Sequence, residues 1–208
     1  MSKFNLNNYK SFILYDTETE GLNLNSSRPW ELAWIHFNHK GIISEHQHYI
    51  YWKDLNISAD AKRITGFDQN NYDKNAKDPQ DVWNEFSKLY LDDSVGIVGH
   101  NILGYDFNMI NNICKAIKVY YPWKPVLERY IDTNVLAKAG KLGIEVDKDN
   151  FLSWQYKINS IRAKVKTNLK LVCTENNIEW DDSQSHRGLY DCSKNAEFFN
   201  KVIKYKLN

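Results

Sequence analysis

The sequence predicts an α/β domain: a mixed central sheet of about five strands flanked by helices. Three observations predict it. Three strand-like runs follow one another near the N-terminus. Later strand-like runs alternate with stretches of helical apolar spacing. The composition, 42% hydrophobic and 25% charged over 208 residues, is that of a globular chain. That length suits a single domain, 1–208, with a sizeable core.

Each element has a local cause. Residues 12–17 are β-branched and aromatic, end in acids and lead to Gly21, the pattern of a buried strand. Residues 30–37 and 41–51 give two more strands. Asn38-His39-Lys40-Gly41 between them has hairpin turn chemistry, so the first three strands form a meander. Ser58 caps a short helix over 59–64 that Gly66 closes. Asp78-Pro79 opens another, with proline in its first turn, running to about residue 91. Residues 95–98 are a fourth strand. Phe107, Ile110, Ile113 and Ile117 give residues 105–117 helical spacing. Residues 129–133 make a short fifth strand, and 168–176 and 188–202 read as helices. The order is βββ, α, β, α, β, α.

Composition also excludes some functions. The formal net charge of +1 argues against a bulk polycation that coats nucleic acid and against a polybasic membrane binder. It leaves room for a local phosphate site. The longest apolar runs, such as Phe12-Ile13-Leu14-Tyr15, fall far short of a membrane span. The N-terminal residues contain no apolar region of the kind a secretory signal needs. Cys114, Cys173 and Cys192 are odd in number and widely spaced, which suits reduced thiols rather than a disulfide framework or zinc site. A cytoplasmic setting is expected.

Chemistry is concentrated in three places. In Asp16-Thr17-Glu18, strand geometry sends both carboxylates to one face at the C-terminal end of the first strand. Open α/β sheets bind ligands at such ends. Two acids on one edge repel unless a cation lies between them, and a divalent metal is the economical occupant. Most such triplets are nonetheless solvated surface. Asp106 follows His100-Asn101 in a turn that opens the next helix, where it is either a site acid or a helix cap. His186 and Asp191 open the last helix. At 3.6 residues per turn they fall on different faces. They converge only if His186 lies in the loop before the helix and Asp191 projects back from its second turn. Otherwise they are a surface histidine and a first-turn acid.

Together these pieces resemble the DEDDh-type 3′→5′ exonucleases. That DnaQ-like family includes the proofreading subunit of bacterial replicative polymerase, oligoribonuclease and ribonuclease T. Asp16-Thr17-Glu18-Thr19-Glu20-Gly21-Leu22 is similar to its first motif, and Ile64-Thr65-Gly66 to its short I-[TH]-G segment. Ile131-Asp132-Thr133 is similar to the strand before its variable region. Asn168-Leu169-Lys170-Leu171-Val172-Cys173, followed by Ile178, resembles its L-x2-L-C helix, and His186 with Asp191 its His-x4-Asp motif. The resemblance spans about residues 12–200. Each motif is weak alone; their order and spacing carry it.

The resemblance implies a ribonuclease H-like fold and two bound Mg²⁺ or Mn²⁺ ions. Asp16, Glu18, Asp106 and Asp191 would be the metal-binding acids and His186 the general base, releasing nucleoside 5′-monophosphates from a 3′ end. Elementary chemistry agrees. A phosphodiester's negative charge repels hydroxide, and two ions roughly 3.5–4 Å apart stabilise the attacking and leaving oxygens. Carboxylate oxygens suit Mg²⁺. Asp16 is the best candidate to bridge both ions. Glu18 can also accept a hydrogen bond from the terminal 3′-hydroxyl. His186 carries an imidazole, the side chain suited to taking a proton near neutral pH.

Three residues depart from the family pattern. Glu20 stands where Thr is commoner, an extra acid that either weakens phosphate affinity or faces solvent. Tyr105 stands where Phe is common, with a hydroxyl expected to be exposed without harm. Gly188 stands where Ala is common, expected as a small-for-small exchange. None removes a metal ligand or the base, so a catalytically dead nucleic-acid binder is not indicated.

Thr17, Thr19, Leu22, His100, Asn101 and Phe107 are candidate contacts to the terminal nucleotide. Core packing is an equal reading for Leu22 and Phe107. In 141–166, Phe151, Trp154 and Tyr156 lie beside Lys157, Arg162, Lys164 and Lys166. Aromatics among cations suit single-stranded nucleic acid. The preferred reading has the aromatics in the core and Lys164 and Lys166 on phosphates. The expected partner is a nucleic acid 3′ end, single-stranded DNA favoured and RNA also admitted, with no membrane. The alternative is a subunit of a larger assembly, for polymerase proofreading or CRISPR prespacer trimming. A homodimer is left open.

Overall fold

Five strands form in the computed structural model, which describes residues 3–207; four are largely buried runs and the edge strand is exposed. They are β1 (Ser11–Thr19), β2 (Pro29–Asn38), β3 (Gly41–Tyr49), β4 (Val95–Gly99) and β5 (Tyr130–Asp132), ordered β3-β2-β1-β4-β5 in one sheet. The first three are antiparallel neighbours, as the hairpin turn predicts; β4 and β5 add in parallel. The mixed α/β sheet is therefore the expected one. β3 ends two residues early because Ile50 leaves the hairpin to bridge Lys77.

The described helices are α1 (Ala59–Thr65), α2 (Gln69–Asn75), α3 (Pro79–Tyr90), α4 (Asp106–Ala116), α5 (Trp123–Leu127), α6 (Thr133–Leu142), α7 (Phe151–Ser160), α8 (Leu169–Glu175) and α9 (Gly188–Phe198). α9 continues through a π-helical turn, Phe199–Ile203, into Lys204–Leu207. The predicted caps do their work: Ser58 accepts from the Ala61 N–H, Asp78 from Gln80 and Asn168 from Leu171. Gly66 closes α1 at φ 66°, in the left-handed region. α2, α5, α6 and α7 go beyond the predicted elements. α6 had a start and stop signal, Asp132 at its N-cap and Gly143 at its C-cap.

Alternation along β1 splits the core in two. Leu14 packs with α6, α7, α8 and α9 on one face; Ile13 and Tyr15 pack with α3, α4 and α5 on the other. Phe151 and Trp154 are buried in the first core, as preferred above, while Tyr156 is exposed. In the second core, the hydroxyls of Tyr15, Tyr130 and Tyr90 form a chain with spacings of 2.7 and 2.8 Å. No described helix is long and apolar enough to cross a membrane.

The same alternation directs the acids. Asp16 and Glu18 have the parity of Leu14 and project to the α9 face. Thr17 has the parity of Tyr15 and projects to the α4 face.

Candidate active site

The site begins where β1 outruns its ladder. Glu18 pairs with Glu31 of β2, and the register shifts between Glu18 and Thr19. Such an irregularity re-aims the side chains at a strand end. On the α4 side, the Thr17 amide and hydroxyl both donate to Asp106 Oδ1, at 3.0 and 2.6 Å. Thr17 thus holds an acid and is not free for a nucleotide.

The loop before Asp106 is fixed from β5. The fully buried Asp132 carboxylate accepts the backbone N–H groups of Asn101 (2.9 Å), Leu103 (3.2 Å), Asn134 (3.0 Å) and Val135 (3.3 Å). Burial pushes its pKa up to about 6 against those bonds. His100 has neither ring nitrogen free: Nε2 donates to the Thr167 carbonyl at 2.7 Å, and Nδ1 lies 3.0 Å from Thr133 Oγ1. Burial pushes its pKa down to about 4, so the ring is neutral at physiological pH. It ties the loop to the segment that carries Lys164 and Lys166, rather than reaching a nucleotide. Asn101 is exposed, at φ 63°.

The loop after β1 is also built from within. The Thr19 and Tyr105 hydroxyls lie 2.6 Å apart, and both reach the Gly21 carbonyl, at 2.8 and 2.7 Å. The Tyr105 hydroxyl is therefore employed, contrary to expectation. Glu20 takes neither of its expected roles. It grips Arg28 with both oxygens, at 3.0 and 3.1 Å, and accepts the Asn56 N–H. Between these anchors Leu22 stands 87% exposed, which removes core packing as its reading. Phe107 is half-buried, edge-on to Tyr130 at 5.8 Å, and belongs largely to the core.

On the α9 side the expected convergence occurs. His186 lies in the loop at φ 60°, exposed, and its backbone N–H donates to Asp191 Oδ2 at 3.1 Å. Asp191 sits in the first turn of α9, not the second, and still projects back. Glu18, His186 and Asp191 each offer one ligand atom, all within 4.8 Å of one another. Gly188 is not a free exchange for Ala. A Cβ there would stand 2.7 Å from both Ala33 Cβ and Glu31 Oε1, because α9 lies directly on β2.

Three residues at the site were not singled out from the sequence. Glu31, 4% exposed, is a fifth carboxylate beside Glu18. Asp132 fixes the loop. Arg187 donates to the Thr65 carbonyl at 3.2 Å and sits over Gly66, and its charge lowers the pKa of both Glu18 and Glu31. An acid set between Trp30 and Leu32 in an apolar strand was the available signal for Glu31.

Burial and mutual repulsion disfavour ionisation throughout. Burial, then the charges of Asp106, Glu18 and Asp191, holds the Asp16 carboxyl well above its usual range. Burial, then Glu31 and Asp191, pushes Glu18 up to about 9. Burial pushes Asp106 up to about 7, opposed by its Thr17 bonds, and Glu31 up to about 7. Burial raises Asp191 to about 6, opposed by His186. Asp191 Oδ1 and Glu31 Oε1 are buried without a hydrogen-bond partner among the described residues. Clustered hard oxygens, short of donors and rich in repulsion, fit a divalent cation. Lys164 and Lys166 are exposed on an extended segment, with half-buried Ala163, Val165 and Thr167 between and beside them.

An acidic cluster at the end of a central strand, with a histidine beside it, is the layout of a carboxylate-type nuclease. A family model described as Exonuclease (ribonuclease T) matches residues 13–199, so the chain belongs to that exonuclease family. The DEDDh-type 3′→5′ exonuclease expected from the motifs is borne out at the level of family and fold. Among solved structures, the zinc-bound E. coli exonuclease I–single-stranded DNA complex superposes with a TM-score of 0.74 at 18% identity, covering 95% of this chain and 41% of that one. E. coli exonuclease I with a dA16 oligonucleotide gives 0.73 at 18%, covering 94% and 41%. Product-bound exonuclease I gives 0.70 at 16%, covering 96% and 45%. At such identities the likeness is one of fold. The chain spans less than half the length of these structures. No curated protein matches it.

Proposed function

We propose that this protein is a divalent-metal-dependent 3′→5′ exonuclease that trims the 3′ end of nucleic acid, favouring single-stranded DNA and accepting RNA. The observation that carries the reading is the one cluster in which β1, α4 and α9 gather Asp16, Glu18, Asp106, Asp191 and His186. The four acids would hold two Mg²⁺ or Mn²⁺ ions. Such ions, when bound, supply the positive charge that stabilises the attacking and leaving oxygens of an in-line displacement.

The chain's own residues do the rest. Glu18 accepts a hydrogen bond from the terminal 3′-hydroxyl, which selects a free end. His186 takes a proton from the attacking water as its oxygen bonds to phosphorus. The bond from phosphorus to the 3′ oxygen of the preceding nucleotide breaks, and a nucleoside 5′-monophosphate leaves. Thr17 keeps Asp106 aimed at the β1 acids. The His186 N–H to Asp191 contact makes base and acid one unit. Exposed Leu22 offers an apolar surface to the terminal base, Asn101 a polar edge, and Lys164 and Lys166 charge for phosphates.

The fold shared with exonuclease I, described with single-stranded DNA, supports the substrate preference. Exonuclease I is also described in an SSB-Ct complex, which supports a second reading, that this chain works within a DNA-processing assembly.

The test uses 5′-labelled single-stranded DNA, duplex DNA, RNA and dinucleotides with Mg²⁺ or Mn²⁺. The expected result is a ladder shortening from the 3′ end, fastest on single-stranded DNA and abolished by EDTA. Asp16→Ala should abolish trimming while circular dichroism shows an intact fold. Undiminished trimming by that variant would overturn the site assignment.

A further inference from the structure

β3 is an exposed edge strand, and His46 and His48 stand two residues apart on one face of it. Glu85 of α3 reaches both. Its Oε1 lies 2.8 Å from His46 Nδ1 and its Oε2 lies 3.0 Å from His48 Nε2. The three side chains each offer one ligand atom, all within 4.8 Å of one another. All three residues are half-buried at the edge of the sheet, although His48 Nε2 itself is buried.

The rings are held ready. Trp34 stacks on His46 with centroids 4.7 Å apart and planes 9° from parallel. Ser44 Oγ lies 3.0 Å from His46 Nε2, which leaves Nδ1 to face Glu85. Buried His48 Nε2 has no hydrogen bond of proper alignment, despite its closeness to Glu85. Without a cation, both imidazoles need a proton on the nitrogen facing Glu85 for each contact to be attractive. One divalent ion replaces those protons.

We propose that His46, His48 and Glu85 form a second metal site, separate from the carboxylate cluster, that takes a transition-metal ion of the Zn²⁺ class. Two imidazoles and one carboxylate are a borderline-soft set suited to Zn²⁺ at about 2.0–2.2 Å, with water in the fourth position. The carboxylate-dominated cluster at the end of β1, with His186 beside it, suits harder ions better. The contact of Ser44 with the nitrogen that would not bind metal is the support such histidines usually have. A bound ion would strap the sheet edge to α3, protecting a strand that otherwise presents unpaired backbone groups.

The test is Zn²⁺ titration of the full chain and of Asp16→Ala by calorimetry in excess Mg²⁺, which competes for the carboxylate cluster, together with visible absorption of the Co²⁺-loaded proteins. One Zn²⁺ equivalent that Asp16→Ala retains is expected. His48→Ala and the isosteric Glu85→Gln should each remove that equivalent and the Co²⁺ bands. Ser44→Ala should weaken binding only about tenfold. Mg²⁺-dependent exonuclease activity should be unchanged in His48→Ala. Circular dichroism checks that each variant is folded; should His48→Ala fail that check, Glu85→Gln decides. Equal Zn²⁺ uptake by wild type and a folded ligand variant would overturn the proposal. So would uptake that survives both ligand changes and disappears in Asp16→Ala.

Discussion

The two flanks of the carboxylate cluster are held in opposite ways. On the α4 flank, Asp106 is buried and receives two bonds from Thr17, and the loop before it hangs on the four N–H groups that Asp132 collects. On the α9 flank, His186 is exposed in the left-handed region, and Asp191 keeps a buried oxygen without a partner. The first flank places charge; the second leaves bonding capacity for something outside the chain. Buried acceptors are normally satisfied internally, so an orphan at a site marks where a ligand completes it.

The largest expected effect breaks the open flank. His186→Ala should lower kcat about 10²–10⁴-fold, the usual contribution of a positioned general base. Its melting temperature should stay near wild type, since the side chain is exposed and the hydrogen bond to Asp191 comes from the backbone N–H. Full activity in steady-state kinetics would mean that the water loses its proton elsewhere.

Removing metal compares both flanks at once. Glu18, Asp106 and Asp191 have native pKa values of about 9, 7 and 6, all raised above the usual carboxyl range. Between about pH 4 and those values the native state binds more protons than the unfolded chain, so stability falls as pH rises. In EDTA the melting temperature should therefore drop from about pH 7 to about pH 8.5, above the range in which His100 takes up a proton on unfolding. Mg²⁺ should flatten the decline, because a cation replaces the protons. A melting temperature in EDTA that climbs over that range would contradict the electrostatic reading of the cluster.

A smaller effect tests the seam between α9 and β2. Gly188→Ala puts a Cβ 2.7 Å from Ala33 Cβ, which sits on the backbone of β2 and cannot swing aside. Overpacking of this kind costs about 1–3 kcal/mol. Because α9 carries Asp191, activity should fall as well. Chemical denaturation and kinetics together read both effects; a neutral result in each would restore the view of Gly188 as a free exchange.

The contrast between the flanks also explains how much could be read in advance. Four strands were legible because each is a short buried run with turn residues beside it, and the exposed β3 because the Asn38-His39-Lys40-Gly41 turn pairs it with β2. The proximity of the four acids and His186 was legible through the resemblance to the exonuclease motifs, since each local signal alone left a surface or capping reading open. Glu31 was not, because its meaning lies in the cross-strand pair with Glu18. The internal tethering of His100 was not, because its two partners lie 33 and 67 residues away. Asp132 showed only as a strand end, although its role is to hold a loop that begins 31 residues earlier. α2 and α5 are too short for periodicity to register.

The smallest effect concerns the hydroxyl at Tyr105, on the ordered flank. Tyr105→Phe removes one bond to the Gly21 carbonyl and the 2.6 Å contact with Thr19. Thr19 still donates to that carbonyl at 2.8 Å, so no acceptor is orphaned. The cost should stay near the ordinary net value of a hydrogen bond, about 0.5–1.5 kcal/mol. The loop it anchors carries exposed Leu22, proposed above to meet the terminal base, so KM should rise more than kcat falls. Thermal denaturation and steady-state kinetics measure the two together. No change in either would return the hydroxyl to the idle role that the sequence alone suggests.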